Sequence, residues 1–125
     1  MTKNRILRFL TAFVVILGMS IHGSLLLIKQ VHKEEIKQTA VRVIPAKATV
    51  VFYKDTCPDC QHVFMEVYLC KLIKHKICLV NLNNPHNRKY INRYQLKTVP
   101  TMVNKGHRYS GTNYKNIALI LLKGD

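Results

Sequence analysis

An uncharged run of 20 residues, Phe9 to Ile28 (FLTAFVVILGMSIHGSLLLI), constrains this chain of 125 residues more than any other feature. As a helix it is long enough to cross a bilayer core of roughly 30 Å, and Lys3, Arg5 and Arg8 precede it. It reads as an uncleaved single-pass anchor over 9–28 behind a basic flank at 1–8, as a cleaved signal with its apolar core at Phe9 to Met19, or as a buried helix of a soluble protein. The small-x-small pattern that a signal peptidase reads is poor around Ser20 to Ser24, and apolar character resumes at Leu25 to Ile28, which favours the anchor. Either of the first two takes the chain out of the cytosol. Lys29, Lys33, Lys37 and Arg42 lie just beyond the run, so charge bias alone does not orient it. A charged head leading directly into an apolar stretch resembles an export signal, so the expectation is a cytoplasmic N-terminus and an extracytoplasmic domain.

The remainder of the chain can hold one modest core. Residues 29–40 are polar and lack Gly and Pro, as in a short helical or flexible stalk. From residue 41 the hydrophobic period changes, and 41–125 reads as the folded domain. Val41 to Ile44, before Pro45, is expected as a short edge strand, and Thr49 to Tyr53 as a central strand apolar on both faces. A helix is expected from about Pro58 to His75, with Val63, Phe64, Val67 and Cys70 on its apolar side. A second strand comes next at Lys76 to Asn83, then a helix capped by Asn84 with Pro85 at its first position. Thr98 to Gly111 reads as two strands joined at Asn104-Lys105-Gly106, and Thr112 or Asn113 caps a last helix. The order is β-α-β-α-β-β-α, an α/β class with a central mixed sheet.

The formal charge is +14. From Val41 onward 14 Lys and Arg face four acids (Asp55, Asp59, Glu66, Asp125), so 14 − 4 = +10 belongs to the domain. Such a surface suits anionic membrane or cell-envelope partners. Specific nucleic-acid binding is not expected, because the cations are scattered and no DNA-reading motif is present.

Chemistry concentrates in Asp55 to Gln61, DTCPDCQ. Cys57 and Cys60, placed after a strand and at the opening of a helix, sit where unpaired N–H groups and the helix dipole favour thiolate at the first sulfur. The second cysteine, one turn in, can resolve a mixed disulfide by attacking the first. Pro58 suits the first turn because its missing N–H is not needed there, and the charge of Asp59 opposes thiolate formation nearby.

With Val99-Pro100 about forty residues downstream, this arrangement resembles the thioredoxin family over about Ala48 to Leu122. The resemblance rests on VVFYKDTCPDC, TVPTMV and Tyr109-Ser110-Gly111. It implies a thioredoxin-like fold with a cis-proline loop against the cysteine pair. It implies a thiol–disulfide oxidoreductase with Cys57 and Cys60 as catalytic pair and Val99 and Pro100 binding the substrate backbone. Its only cofactor would be the redox-active disulfide itself, its partners protein thiols or disulfides and a recharging partner. Thr56 stands where the family has Trp, Val51 where it has a buried Asp, and Pro58-Asp59 where it has Gly-Pro. Most of the N-terminal strand and helix of a full thioredoxin is missing. Small membrane-tethered thioredoxin-like proteins of Gram-positive bacteria, including some that accompany bacteriocin systems, are similar in overall plan.

Three alternatives stand beside that reading. The fold could be retained in a non-catalytic accessory or binding protein, with Cys57–Cys60 as a staple. Cys70 and Cys78 are either buried unreactive thiols or a structural disulfide of their own. A zinc site would need Cys57 and Cys60 joined by Cys70, His75 or Cys78, but CKLIKHKIC lacks the paired spacing of a second half-site, so no metal is expected.

Overall fold

The computed structural model describes residues 2–123; Met1 of the basic flank, and Gly124 and Asp125 at the end of the domain, lie outside the described residues. The chain divides into two compact units, Met1–Lys33 and Glu34–Asp125. From Lys3 the first follows helix α1 (Lys3–Glu35), unbroken for 33 residues with no proline to interrupt it. Among the described residues it is the one helix long and apolar enough to cross a membrane, with a mean hydropathy of 2.1 over its most apolar window. Its hydroxyls are satisfied internally: Thr11 donates to the Arg8 carbonyl, Ser20 to Ile16 and Ser24 to Ser20, each at 2.9 Å.

The second unit is built on a four-stranded sheet, β1 (Thr49–Tyr53), β2 (Ile77–Asn81), β3 (Thr101–Asn104) and β4 (His107–Ser110), in the order β2-β1-β3-β4. β1 pairs parallel with β2 and antiparallel with β3, and β3 pairs antiparallel with β4. Helix α2 (Pro58–Ile73) makes the β1–β2 crossover, α3 (Lys89–Arg93) precedes β3, and α4 (Tyr114–Leu122) ends the unit. The sequence-derived element order is the observed one.

All five residues of β1 are buried, and their alternation feeds two cores. Val51 joins Val63, Val67 and Cys70 of α2, Met102 of β3, and Ile117 and Leu121 of α4. Val50 and Phe52 join Val80, Leu82 and Tyr90 on the opposite face. The β3–β4 turn places both Lys105 (φ 46°) and Gly106 (φ 83°) in the left-handed region, the pattern whose twist matches a two-residue hairpin. Gly111 (φ 144°) could not carry a side chain, since a Cβ would lie 2.8 Å from the Tyr109 hydroxyl.

Two expectations need correction, and a third becomes more definite. Val41 to Ile44 is not an edge strand: Val41 and Ile44 pack on the second core, but side chains, not a ladder, satisfy the backbone around them. Asn87, fully buried, donates to the Thr39 and Asn81 carbonyls at 2.9 Å and accepts from the Val41 N–H at 2.8 Å. The Tyr90 hydroxyl lies 3.1 and 3.2 Å from the carbonyls of Val41 and Arg42. The stalk expected at 29–40, helical or flexible, is helical in its first part. α1 continues to Glu35, and beyond it the carbonyls of Lys37 and Gln38 accept from Asn81 (3.4 Å) and Asn84 (2.6 Å). Residues 37–44 form a strap held by side chains of the second unit. Finally, the helix expected after Asn84 is split: Asn84 caps a single 3-10 turn (Pro85–Asn87) before the short α3.

Asn87→Ala removes three hydrogen bonds and leaves strap groups unpaired, which costs about 1–3 kcal/mol per buried orphan. A denaturant unfolding midpoint clearly below wild type is expected, and an unchanged midpoint would mean the strap contributes nothing to stability.

Candidate active site

The site begins where β1 ends. After Tyr53 the chain turns, the Cys57 N–H donating to the Lys54 carbonyl at 3.1 Å, and Cys57 becomes the N-cap of α2 with Pro58 at its first position. Cys57 is extended (φ −94°, ψ 121°), and its side chain makes no cap hydrogen bond. It is half-buried, whereas Cys60 in the first turn is only 2% exposed. The two thiols lie close together.

Val99-Pro100 lies against the pair. The Cys57 Sγ sits 3.8 Å from the Val99 carbonyl oxygen, and the Val99–Pro100 peptide bond is cis. Pro100 is buried, and its carbonyl accepts from the Gly111 N–H at 3.3 Å, which ties this loop to the Tyr109-Ser110-Gly111 stretch.

Burial pushes the Cys60 thiol up to about 12, assisted by Cys57 and Asp59 and opposed by a hydrogen bond to the Lys54 backbone. Val51, where the resemblance would place a buried carboxylate, is packed among apolar side chains and offers Cys60 no proton acceptor. Tyr53, beside Cys60, is held well above its ordinary value, first by burial and then by Asp55 and Glu34; its phenol donates to the Glu34 carbonyl at 3.4 Å.

The residues bracing the loop carry no motif by which the sequence alone could single them out. Asn83, just past β2, donates to the Asp55 carboxylate and to the Thr56 hydroxyl (3.0 Å). Gln38 of the strap donates to the other Asp55 oxygen at 3.0 Å, and the Gln61 amide donates to the Asp55 carbonyl at 2.7 Å. Thr56, where the family carries Trp, is thus held by a polar network. Asp55 stands within the cysteine motif itself, but only the fold brings Asn83 to it.

Cys70 and Cys78 are not brought together. Cys70 lies in the core shared with α4, while Cys78, paired in register with Val50, packs against the core on the other sheet face. Both are free thiols raised chiefly by burial, the behaviour of buried structural cysteines. No group of three His, Cys, Asp or Glu side chains among the described residues is placed to hold a metal ion.

In three dimensions the chain is similar to the thioredoxin of Fasciola hepatica, with a TM-score of 0.54 and 18% identity, covering 62% of this chain and 80% of that one. By sequence it matches no family model and no curated protein. The domain has a thioredoxin-like fold, with a close cysteine pair at the junction of β1 and α2.

The contrast between the two thiols is directly measurable. In the reduced native protein at about pH 7.5, iodoacetamide is expected to label Cys57 well before Cys60, because Cys60 is buried and has almost no thiolate below its raised pKa. The slow Cys60 reaction should quicken as pH rises toward about 12. Equal labelling of both at neutral pH, read by peptide mass, would contradict this geometry.

Proposed function

We propose that the protein is a membrane-anchored thiol–disulfide oxidoreductase acting on protein dithiols and disulfides through Cys57 and Cys60. The observation that carries the reading is the half-buried Cys57 sulfur at a helix N-cap, with a second thiol behind it and the Val99 carbonyl 3.8 Å away.

In the reducing direction the Cys57 thiolate attacks one sulfur of a substrate disulfide. That S–S bond breaks, a mixed disulfide forms, and the substrate's other sulfur leaves as thiolate and takes a proton. Cys60 then loses its proton and attacks the Cys57 sulfur, forming the Cys57–Cys60 disulfide and releasing the second substrate thiol. Two electrons pass from the enzyme dithiol to the substrate; in the oxidising direction the steps reverse. A recharging partner restores the starting state. The backbone at Val99 would pair with an extended substrate segment beside Cys57, with Pro100 fixing the loop.

The length and apolar character of α1 support a single-pass anchor, and a charged head (Lys3, Arg5, Arg8) leading into an apolar stretch suits a cytoplasmic N-terminus with the domain on the extracytoplasmic side. The plan fits a bacterial envelope protein, and the net positive charge favours anionic surfaces there.

Cys57→Ser is expected to abolish both insulin-disulfide reduction and oxidative refolding of a reduced substrate. Cys60→Ser, which leaves the attacking sulfur but removes the resolving one, should accumulate a mixed disulfide with substrate, visible as a dithiothreitol-sensitive adduct on a non-reducing gel. Activity that survives Cys57→Ser in both directions would sink the proposal.

A further inference from the structure

We infer that the outward face of α4, with the basic groove beside it, is a docking surface for an anionic phospholipid bilayer. The inference rests on the membrane-anchored reading above and adds which face of the domain meets the lipid.

α4 is apolar on two sides. Ile117 and Leu121 fill the core, yet Leu119 and Leu122 are 47% and 38% exposed. A surface helix ordinarily buries one stripe and presents polar residues on the other. Here Leu119, Leu122 and Ala118 line a shallow hollow with Lys115 and Lys123 as its polar members. Next to it a groove of about 760 Å³ lies between α4 and the β3–β4 hairpin, shared by Leu119 and Lys123 and lined also by Lys105 and His107. Arg108 borders this groove, but its guanidinium is turned to the carbonyls of Tyr94 and Gln95, so the lysines are the cations this face offers. Neither α4 nor the hairpin contains an acidic residue.

Leucines ringed by lysines, with no acid among them, match the boundary of an anionic bilayer: ammonium groups meet the phosphates while apolar side chains enter the acyl margin. An acidic protein would satisfy the lysines equally well. Lipid is the favoured occupant because an anchored domain is held beside it at high effective concentration.

The chain contains no tryptophan, so a single introduced one reports a single position. Full-length L119W, R93W and I16W are reconstituted into vesicles of brominated phosphatidylcholine with or without phosphatidylglycerol. Residue 93 ends α3, which packs toward the opposite core, and residue 16 lies within the apolar run of α1. L119W fluorescence is expected to be quenched in the anionic vesicles, with quenching lost at high salt or in phosphatidylcholine alone, while R93W stays unquenched. Lys115→Gln and Lys123→Gln should each lower the ratio of docked to free domain about fivefold. L122W repeats the measurement should L119W fold poorly.

Quenching of I16W without quenching of L119W or L122W in anionic vesicles overturns the docking and leaves the anchor standing. Loss of I16W quenching overturns the anchor, and the docking with it. Shielding of L119W from acrylamide without bromine quenching means that protein, such as a second copy of this chain, covers the face, and the inference falls.

Discussion

The antiparallel register of β1 against β3 is the constraint on which the rest of the structure depends. Phe52 opposite Thr101 and Val51 opposite Met102 put the residues before β3 beyond the end of β1, where the chain turns into the cysteine loop. Cys57 and Val99, 42 positions apart in sequence, meet for that reason. A slip of β3 by one residue against β1 would move Met102 out of the core with α2 and α4 and onto the opposite face. The geometry of the site is therefore inherited from core packing, and neither Val99 nor Pro100 needs a strong local preference to arrive there.

A second dependence runs through the strap. Among the described residues β2 lies at one edge of the sheet. Val41 and Ile44 contribute to the core on the α3 side, and Asn81, Asn84, Asn87 and Tyr90 capture the strap's backbone groups. Buried backbone polar groups must find partners, and here asparagine amides do what a neighbouring strand would have done. The same strap sends Gln38 to Asp55, two residues before Cys57. The segment directly after α1 thus also braces the cysteine loop.

Much of this was legible in the sequence, for physical reasons that differ by element. The five apolar and β-branched residues of β1, and the proline after the first cysteine, announce a buried strand running into a helix, because burial pattern and local sterics both act over a few residues. The hairpin was legible from Lys105-Gly106, although the left-handed φ at Lys105 was not foreseen. The strap is hard to read from sequence because its apolar residues, Val41 and Ile44, pack partly buried against the core, and hydrophobicity does not say whether the backbone finds a strand or a set of side chains. A signal existed in Asn81, Asn84 and Asn87, spaced three apart, since asparagines repeated at that interval beside a buried strand have backbone to satisfy. The Asp55–Asn83 contact and the separation of Cys70 from Cys78 are long-range consequences of the sheet. The alternation of Ile77 and Cys78 to opposite faces decides the latter, and it becomes readable only once β2 is known to lie beside β1.

The central claim is that Cys57 and Cys60 form a redox couple and not a staple. Its most direct test is the reduction potential of the full-length protein in detergent, equilibrated in glutathione or dithiothreitol buffers, quenched by alkylation and read by mass at those two cysteines. The account predicts a reversible two-electron couple between about −270 and −120 mV, the span of dedicated oxidoreductases. A couple below about −300 mV would mark a structural disulfide and contradict it.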